Sequence, residues 1–194
     1  MSCPQVINKF STGVFEMKAM VFDVESIGLH GEGFWVAWVL VDLADSEFRV
    51  LESQGYFCPT DEAEGLEKNR EWVRANVPDA RQGEAVVDPL KVRDRFWYDW
   101  MRLKRDHGAV MFADCVWPVE AGFLAACIAD DPARREWEGP YPIHDIATVL
   151  MCAGLDPLAT YPREENEPAH CALGDARQSA RMLHASYREL RVGV

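Results

Sequence analysis

Lys18-Ala19-Met20-Val21-Phe22-Asp23-Val24-Glu25 is a short apolar, partly β-branched run that stops at Gly28. Such a run predicts a β-strand, and its continuous apolar character predicts an interior strand rather than an edge. Successive side chains leave opposite faces of a strand, so Asp23 and Glu25 project on the same side. Carboxylates at the carboxyl end of an interior strand stand where α/β proteins build their sites. A solvated strand end would read the same way, so the pair needs partners elsewhere in the chain.

Outward from this run, Phe34–Val41 reads as a second strand and Phe48–Phe57 as a third. Turn chemistry at Asp42–Ser46 suits an antiparallel meander. Glu62–Asn76 is expected to be helical. Asp88 offers an N-cap and Pro89 a first helical residue for a helix to about Asp106, with Phe96, Trp100 and Leu103 on one face. Trp97 and Met101 lie beside that face, and packing in the core is favoured over stacking on bases. Ala109–Ala113 is a short apolar strand closed by Asp114. Pro118 can start a helix carrying Glu120, with Phe123 and Leu124 buried. A loop at Pro140–Pro142 precedes a helix expected near His144–Ala153, and Pro157–Pro168 reads as a surface loop beside the site. In the last segment Ala176, Ala180, Leu183, Tyr187 and Leu190 recur at spacings of four and three, one apolar helix face. Asp175 lies in its opening turns and His170 at or just before its start.

Four carboxylates and a histidine therefore fall at a strand end, a second strand end and a helix start. These residue types suit two-metal phosphodiester hydrolysis. Two hard divalent cations roughly 3.5–4 Å apart clamp the attacking and leaving oxygens of an in-line displacement. Mg²⁺ and Mn²⁺ take oxygen ligands and keep waters, so a few carboxylates suffice. A neutral histidine can take the proton of the attacking water. For the third carboxylate Asp114 is preferred, with Glu120 as the alternative. Singly, each residue has a plainer use: Asp114 or Glu120 as a helix cap or first-turn acid, His170 as a surface or capping residue. Cys171 beside His170 lacks the further Cys/His cluster that a zinc site would need.

The order Asp23-x-Glu25 after a strand, Asp114 after a later strand, then His170-x4-Asp175 opening a C-terminal helix resembles the DEDDh 3′–5′ exonucleases, such as proofreading exonucleases, RNase T and oligoribonuclease. The resemblance runs from about Lys18 to Leu190, and His144–Leu150 fits the layout one element upstream of the last motif. It implies an RNase H-like fold, two Mg²⁺ or Mn²⁺ ions and release of 5′-mononucleotides from a 3′ end. Asp23, Glu25, Asp114 and Asp175 would be the metal ligands and His170 the general base. Many members write the second motif as Asn, two or three residues, then Phe-Asp; here Ala113-Asp114-Cys115-Val116-Trp117-Pro118-Val119-Glu120 stands in its place. Residues 58 to 108 also form a longer connection than compact members need. Leu29 and His30, just past the first motif, are candidates to touch the terminal nucleoside.

The chain has 194 residues, enough for one α/β domain over 1–194 with its core from about 18 to 190. The expected architecture is a mixed central sheet, its first three strands antiparallel, with helices on both faces. An apolar fraction of 48% excludes a disordered chain. No apolar run reaches the roughly 18 residues that span a membrane. Met1–Lys9 lacks a basic region followed by an apolar stretch, so a cytoplasmic protein is expected, with the six cysteines reduced and mostly buried. A net charge of −12 argues against tracking a long duplex, since such proteins present a basic face. It favours a grip on short or single-stranded 3′ ends. Arg93, Arg95, Arg102, Lys104 and Arg105 are a local basic cluster that reads first as a solvated helix face. Nucleic-acid 3′ ends are the expected partner, with no membrane; a second copy of the chain is left open. An RNase H-like endonuclease and an inactive nucleic-acid-binding or scaffolding module are the competing readings.

Overall fold

The structure, a computed structural model, describes residues 17–165 and 167–192. Met1–Lys9, where a leader would lie, and Cys3 fall outside them, as does Asn166 in the Pro157–Pro168 loop. The elements run β1 (Lys18–Ser26), β2 (Gly33–Asp42), β3 (Val50–Phe57), α1 (Glu67–Asn76), β4 (Glu84–Ala85), α2 (Pro89–His107), β5 (Val110–Ala113), α3 (Val119–Asp130), α4 (Pro132–Arg135), β6 (His144–Asp145), α5 (Ile146–Cys152) and α6 (Ala172–Val192). Six strands form one sheet in the order β4–β3–β2–β1–β5–β6. β1–β2 and β2–β3 pair antiparallel; β1–β5, β5–β6 and β3–β4 pair parallel.

β1 is interior, as its apolar run predicts, because strands flank it on both sides. Ala19, Met20, Val21 and Phe22 are all buried, so both of its faces are covered. Phe22 meets Phe96 of α2 at 5.1 Å between ring centroids, and Phe96 meets Phe123 of α3 at 5.2 Å. These rings seat α2 and α3 on one face. On the other face lies α6, burying Ala176, Ala180 and Leu183 of its predicted stripe. Asp99 pins α2 to the sheet: its buried carboxylate accepts the indole N–H of Trp38 at 3.0 Å and the Tyr56 hydroxyl at 2.6 Å. Asp88 caps α2 as expected, accepting the Lys91 N–H at 2.8 Å.

Several boundaries differ from the sequence expectation. β3 begins at Val50, not Phe48, because the turn after β2 extends past Ser46; the Asp42 carboxylate holds it by accepting the Ala44 N–H. α1 begins at Glu67, not Glu62. Residues Thr60–Glu62 make a separate 3₁₀ turn, and Gly65 then packs so tightly on Ile27 that a Cβ would stand 2.2 Å from its Cγ2. His144 lies on β6, paired with Phe112, and the helix starts only at Ile146, where Asp145 caps it through the Thr148 N–H at 2.8 Å. β4 and β6 have two residues each, too few for any periodicity to announce them. Among the described residues no helix is long and apolar enough to cross a membrane.

Candidate metal centre

Strand alternation puts Asp23 and Glu25 on the face that α6 covers, and Asp175 opens that helix. The three carboxylates each offer an oxygen, all within 4.8 Å of one another. Segments 150 residues apart in sequence thus meet at one point. Asp175 is held in place by its own turn, reaching back to accept the Cys171 N–H at 3.1 Å.

Asp114 and Glu120 stand outside this group of three, yet both border it. The parallel register pairs Phe22 with Ala113, so Asp23 and Asp114 each lie one residue beyond the last paired position, side by side. Asp145, opposite Ala113 on β6, braces the turn that presents Asp114. One of its oxygens caps α5, while the other accepts the Val116 N–H at 3.1 Å. No local pattern announces this double use. Glu120, in the first turn of α3, is only 6% exposed.

The electrostatics reflect crowding. Burial raises the Asp23 carboxyl well above the usual range, and the neighbouring charges of Asp175, Glu25, Glu120 and Asp114 raise it further. Burial, then Asp175, lifts Glu25 to about 7, against the pull of Arg163. Burial also lifts Glu120 to about 8, although the backbone N–H groups of Glu120 and Val24 oppose it. Asp114 is raised by burial, then by Asp145 and Asp175. Asp175 is raised by burial, opposed by its hydrogen bond from Arg163. Five acids lean on one another here, and burial with like-charge repulsion raises them, against the pull of Arg163, the cation in contact.

One cation in the cluster was missed by sequence reading. Arg163, in the loop before α6, donates from Nη2 to Asp175 Oδ1. Nothing local marks it, because it acts across twelve residues from an irregular loop. His170 lies just outside α6, exposed, with a left-handed backbone at φ 58°. Its ring stands edge-on to Trp72 of α1, 5.1 Å between centroids. Trp72 is 49% exposed, and through it α1 of the long 58–108 connection reaches the start of α6.

Leu29 and His30 lie in the turn after β1, where Gly28 adopts φ 76°. They line two adjoining cavities of about 370 and 540 Å³; the first reaches Leu66 and Asn69, the second Arg93 and Trp117. The basic cluster on α2 offers no free cationic face. Arg93 is 8% exposed and bonds Glu32 and Asp130, both at 2.6 Å. Arg95 pairs with Glu84, Arg102 with Glu52, Lys104 with Glu138 and Arg105 with Asp106. The solvated-face expectation therefore fails for Arg93, which faces the β1–β2 turn. Cys171 is buried and burial raises its thiol, which suits a packed residue rather than a nucleophile. Among the five described cysteines, Cys58, Cys127 and Cys171 are buried, and Cys115 and Cys152 are exposed.

No protein-family model matches this chain, and no curated protein matches it. Solved structures do. An exonuclease I from Methylocaldum szegediense aligns with a TM-score of 0.56 at 17% identity, over 90% of this chain and 41% of that one. E. coli exonuclease I in complex with a dA16 oligonucleotide gives the same TM-score, identity and coverages. The E. coli enzyme with a dT13 oligonucleotide gives 0.55 at 17% identity, over 92% and 43%. This chain thus spans less than half the length of the solved structures it matches. The likeness shows the fold: a mixed sheet with helices in the RNase H-like arrangement of exonuclease I.

Proposed function

We propose that this chain is a divalent-metal-dependent 3′–5′ exonuclease, its residues 1–194 forming one catalytic domain that acts on short or single-stranded nucleic-acid ends. The observation that carries the reading is the convergence of Asp23, Glu25 and Asp175 within 4.8 Å. Three acids so placed cost stability unless cations share them. Their hard oxygen donors fit Mg²⁺ or Mn²⁺ and give no soft ligand for other metals. Asp23, Glu25 and Asp175 would hold two ions, and Asp114, level with Asp23 across the β1–β5 pair, is the fourth ligand. Ions held by these residues would supply positive charge to stabilise the charge that develops on the phosphate.

The remaining roles belong to the chain's own groups. His170 takes the proton of the attacking water, in its neutral form. It lies five residues before Asp175, just outside the helix that Asp175 opens. Trp72 limits where the imidazole can go. Leu29 and His30, in the turn after the strand that carries Asp23 and Glu25, line two cavities and hold the terminal nucleoside. The E. coli exonuclease I structures lend support, since that protein, part of which shares this fold, is in complex with dA16 and dT13 oligonucleotides. Each basic side chain of the α2 cluster has a carboxylate partner, so that cluster offers little to a long duplex, which fits a few terminal nucleotides as the contact.

End-labelled single-stranded oligonucleotides, RNA and DNA in parallel, test the reading with Mn²⁺ and with EDTA. Stepwise shortening from the 3′ end, lost in EDTA and in Asp23→Asn, is the expected result. Cleavage of a circular substrate would identify an endonuclease instead. Oligonucleotide binding without hydrolysis under every metal condition would make the chain a binding module.

A further inference from the structure

Arg163 sits in the irregular loop between α5 and α6. Its Nη2 donates to Asp175 Oδ1 and its Nη1 to the Pro168 carbonyl, the latter at 3.4 Å. Asp175 Oδ2 meanwhile accepts the Cys171 N–H. Both oxygens of this carboxylate are thus engaged by the chain itself. A guanidinium in contact with one carboxylate of the group stands within a few ångströms of any cation bound there, and like charges so close repel strongly in a partly buried site. The loop backbone is tethered just upstream: Gln178 Nε2 donates to the Tyr161 carbonyl at 2.8 Å and to that of Pro162 at 3.3 Å. The Tyr161 hydroxyl donates to the Asp156 carbonyl at 2.8 Å. Beyond these anchors the Arg163 side chain borders a cavity of about 180 Å³ that Asp114, Tyr161 and Gln178 also line.

We propose that Arg163 is a displaceable counter-ion of the carboxylate cluster: a divalent cation competes with its guanidinium for Asp175, and the released side chain turns into the adjoining cavity. The proposal rests on the metal-centre reading above. Its consequence is that Arg163 weakens the metal affinity of the site, so that more cation is needed to fill it. Arg163 bears on Glu25 as well, opposing the effect of burial there. One arginine therefore serves two of the three converging acids.

Calorimetric titration of the metal-free protein with MnCl₂ tests this without any turnover measurement. Arg163→Gln should bind Mn²⁺ roughly threefold to fivefold more tightly than the parent, the scale of one partly exposed ion pair. Arg163→Lys keeps a positive charge in the same loop and should stay near the parent. Gln178→Ala loosens the loop anchor but leaves the guanidinium, so its Mn²⁺ affinity should not change. Equal or weaker Mn²⁺ binding by Arg163→Gln, while the parent binds, would overturn the counter-ion role and leave the metal centre standing. Equal tightening in Gln178→Ala would assign the effect to loop freedom and overturn it too. A parent protein that binds no Mn²⁺ at millimolar concentration would overturn both readings.

Discussion

Removing one acid from the cluster should make the metal-free protein more stable at neutral pH, and Glu25→Gln is the sharpest case. Burial and Asp175 raise the Glu25 carboxyl from 4.5 to about 7. Between those two values the folded chain holds a proton that the unfolded chain has released, so stability falls as pH rises through this window. Above about 7 the loss is complete. Each pKa unit is worth about 1.4 kcal/mol, so the move amounts to about 3 kcal/mol. For a chain of this size that is roughly 6–12 °C in melting temperature. Carboxylates held low by ion pairs, such as Asp42, Glu52 and Asp94, act in the opposite sense, losing stability only as pH falls below their ordinary range. The window from pH 5 to 8 therefore isolates the raised acids. Histidines titrate there as well, so the readout is the difference between parent and variant. Thermal melts in EDTA at pH 5, 6, 7 and 8 should converge at pH 5 and separate by pH 8, with Glu25→Gln the more stable. Parallel curves across the range, or a variant less stable at pH 8, would refute the crowding argument and give Glu25 a structural role.

Three further outcomes follow from the same geometry. His170→Ala should lose about 10²–10⁴-fold in turnover while its Mn²⁺ affinity in calorimetry stays near the parent's; near-parental turnover would remove the histidine from the mechanism. Asp114→Asn should abolish hydrolysis of a labelled oligonucleotide, whereas Glu120→Gln should retain most of it, because burial lifts Glu120 to about 8 and its neutral form mimics the amide; the reverse order would make Glu120 the fourth ligand. Arg93→Met should cost about 3–5 kcal/mol in urea denaturation, since it strands the Glu32 and Asp130 carboxylates that Arg93 now holds; a loss under about 1 kcal/mol would mean that water reaches them freely.

The sequence by itself determined what local periodicity can report. The continuous apolar run Lys18–Glu25 marked an interior strand, and strand alternation put Asp23 and Glu25 on one face. Asp88-Pro89 marked the start of α2, and the four-and-three spacing from Ala176 marked the buried side of α6. Those patterns arise because a strand repeats every two residues and a helix every 3.6, so each element advertises its own buried face. Only the tertiary structure decided the rest, because the remaining contacts join residues that no local pattern links. The β1–β5 register sets Asp114 beside Asp23, and it depends on how two distant strands pair. Arg93 looks like any charge on a helix surface until Glu32 and Asp130 fold around it. Asp145 divides its two oxygens between a helix cap and the Val116 turn only because β6 lies against β5. Arg163 belongs to an irregular loop, where side-chain direction follows from backbone anchors such as Gln178 rather than from any repeat. Trp72 and His170 are 98 positions apart in sequence, and their contact exists because α1 and the start of α6 pack at the same end of the sheet.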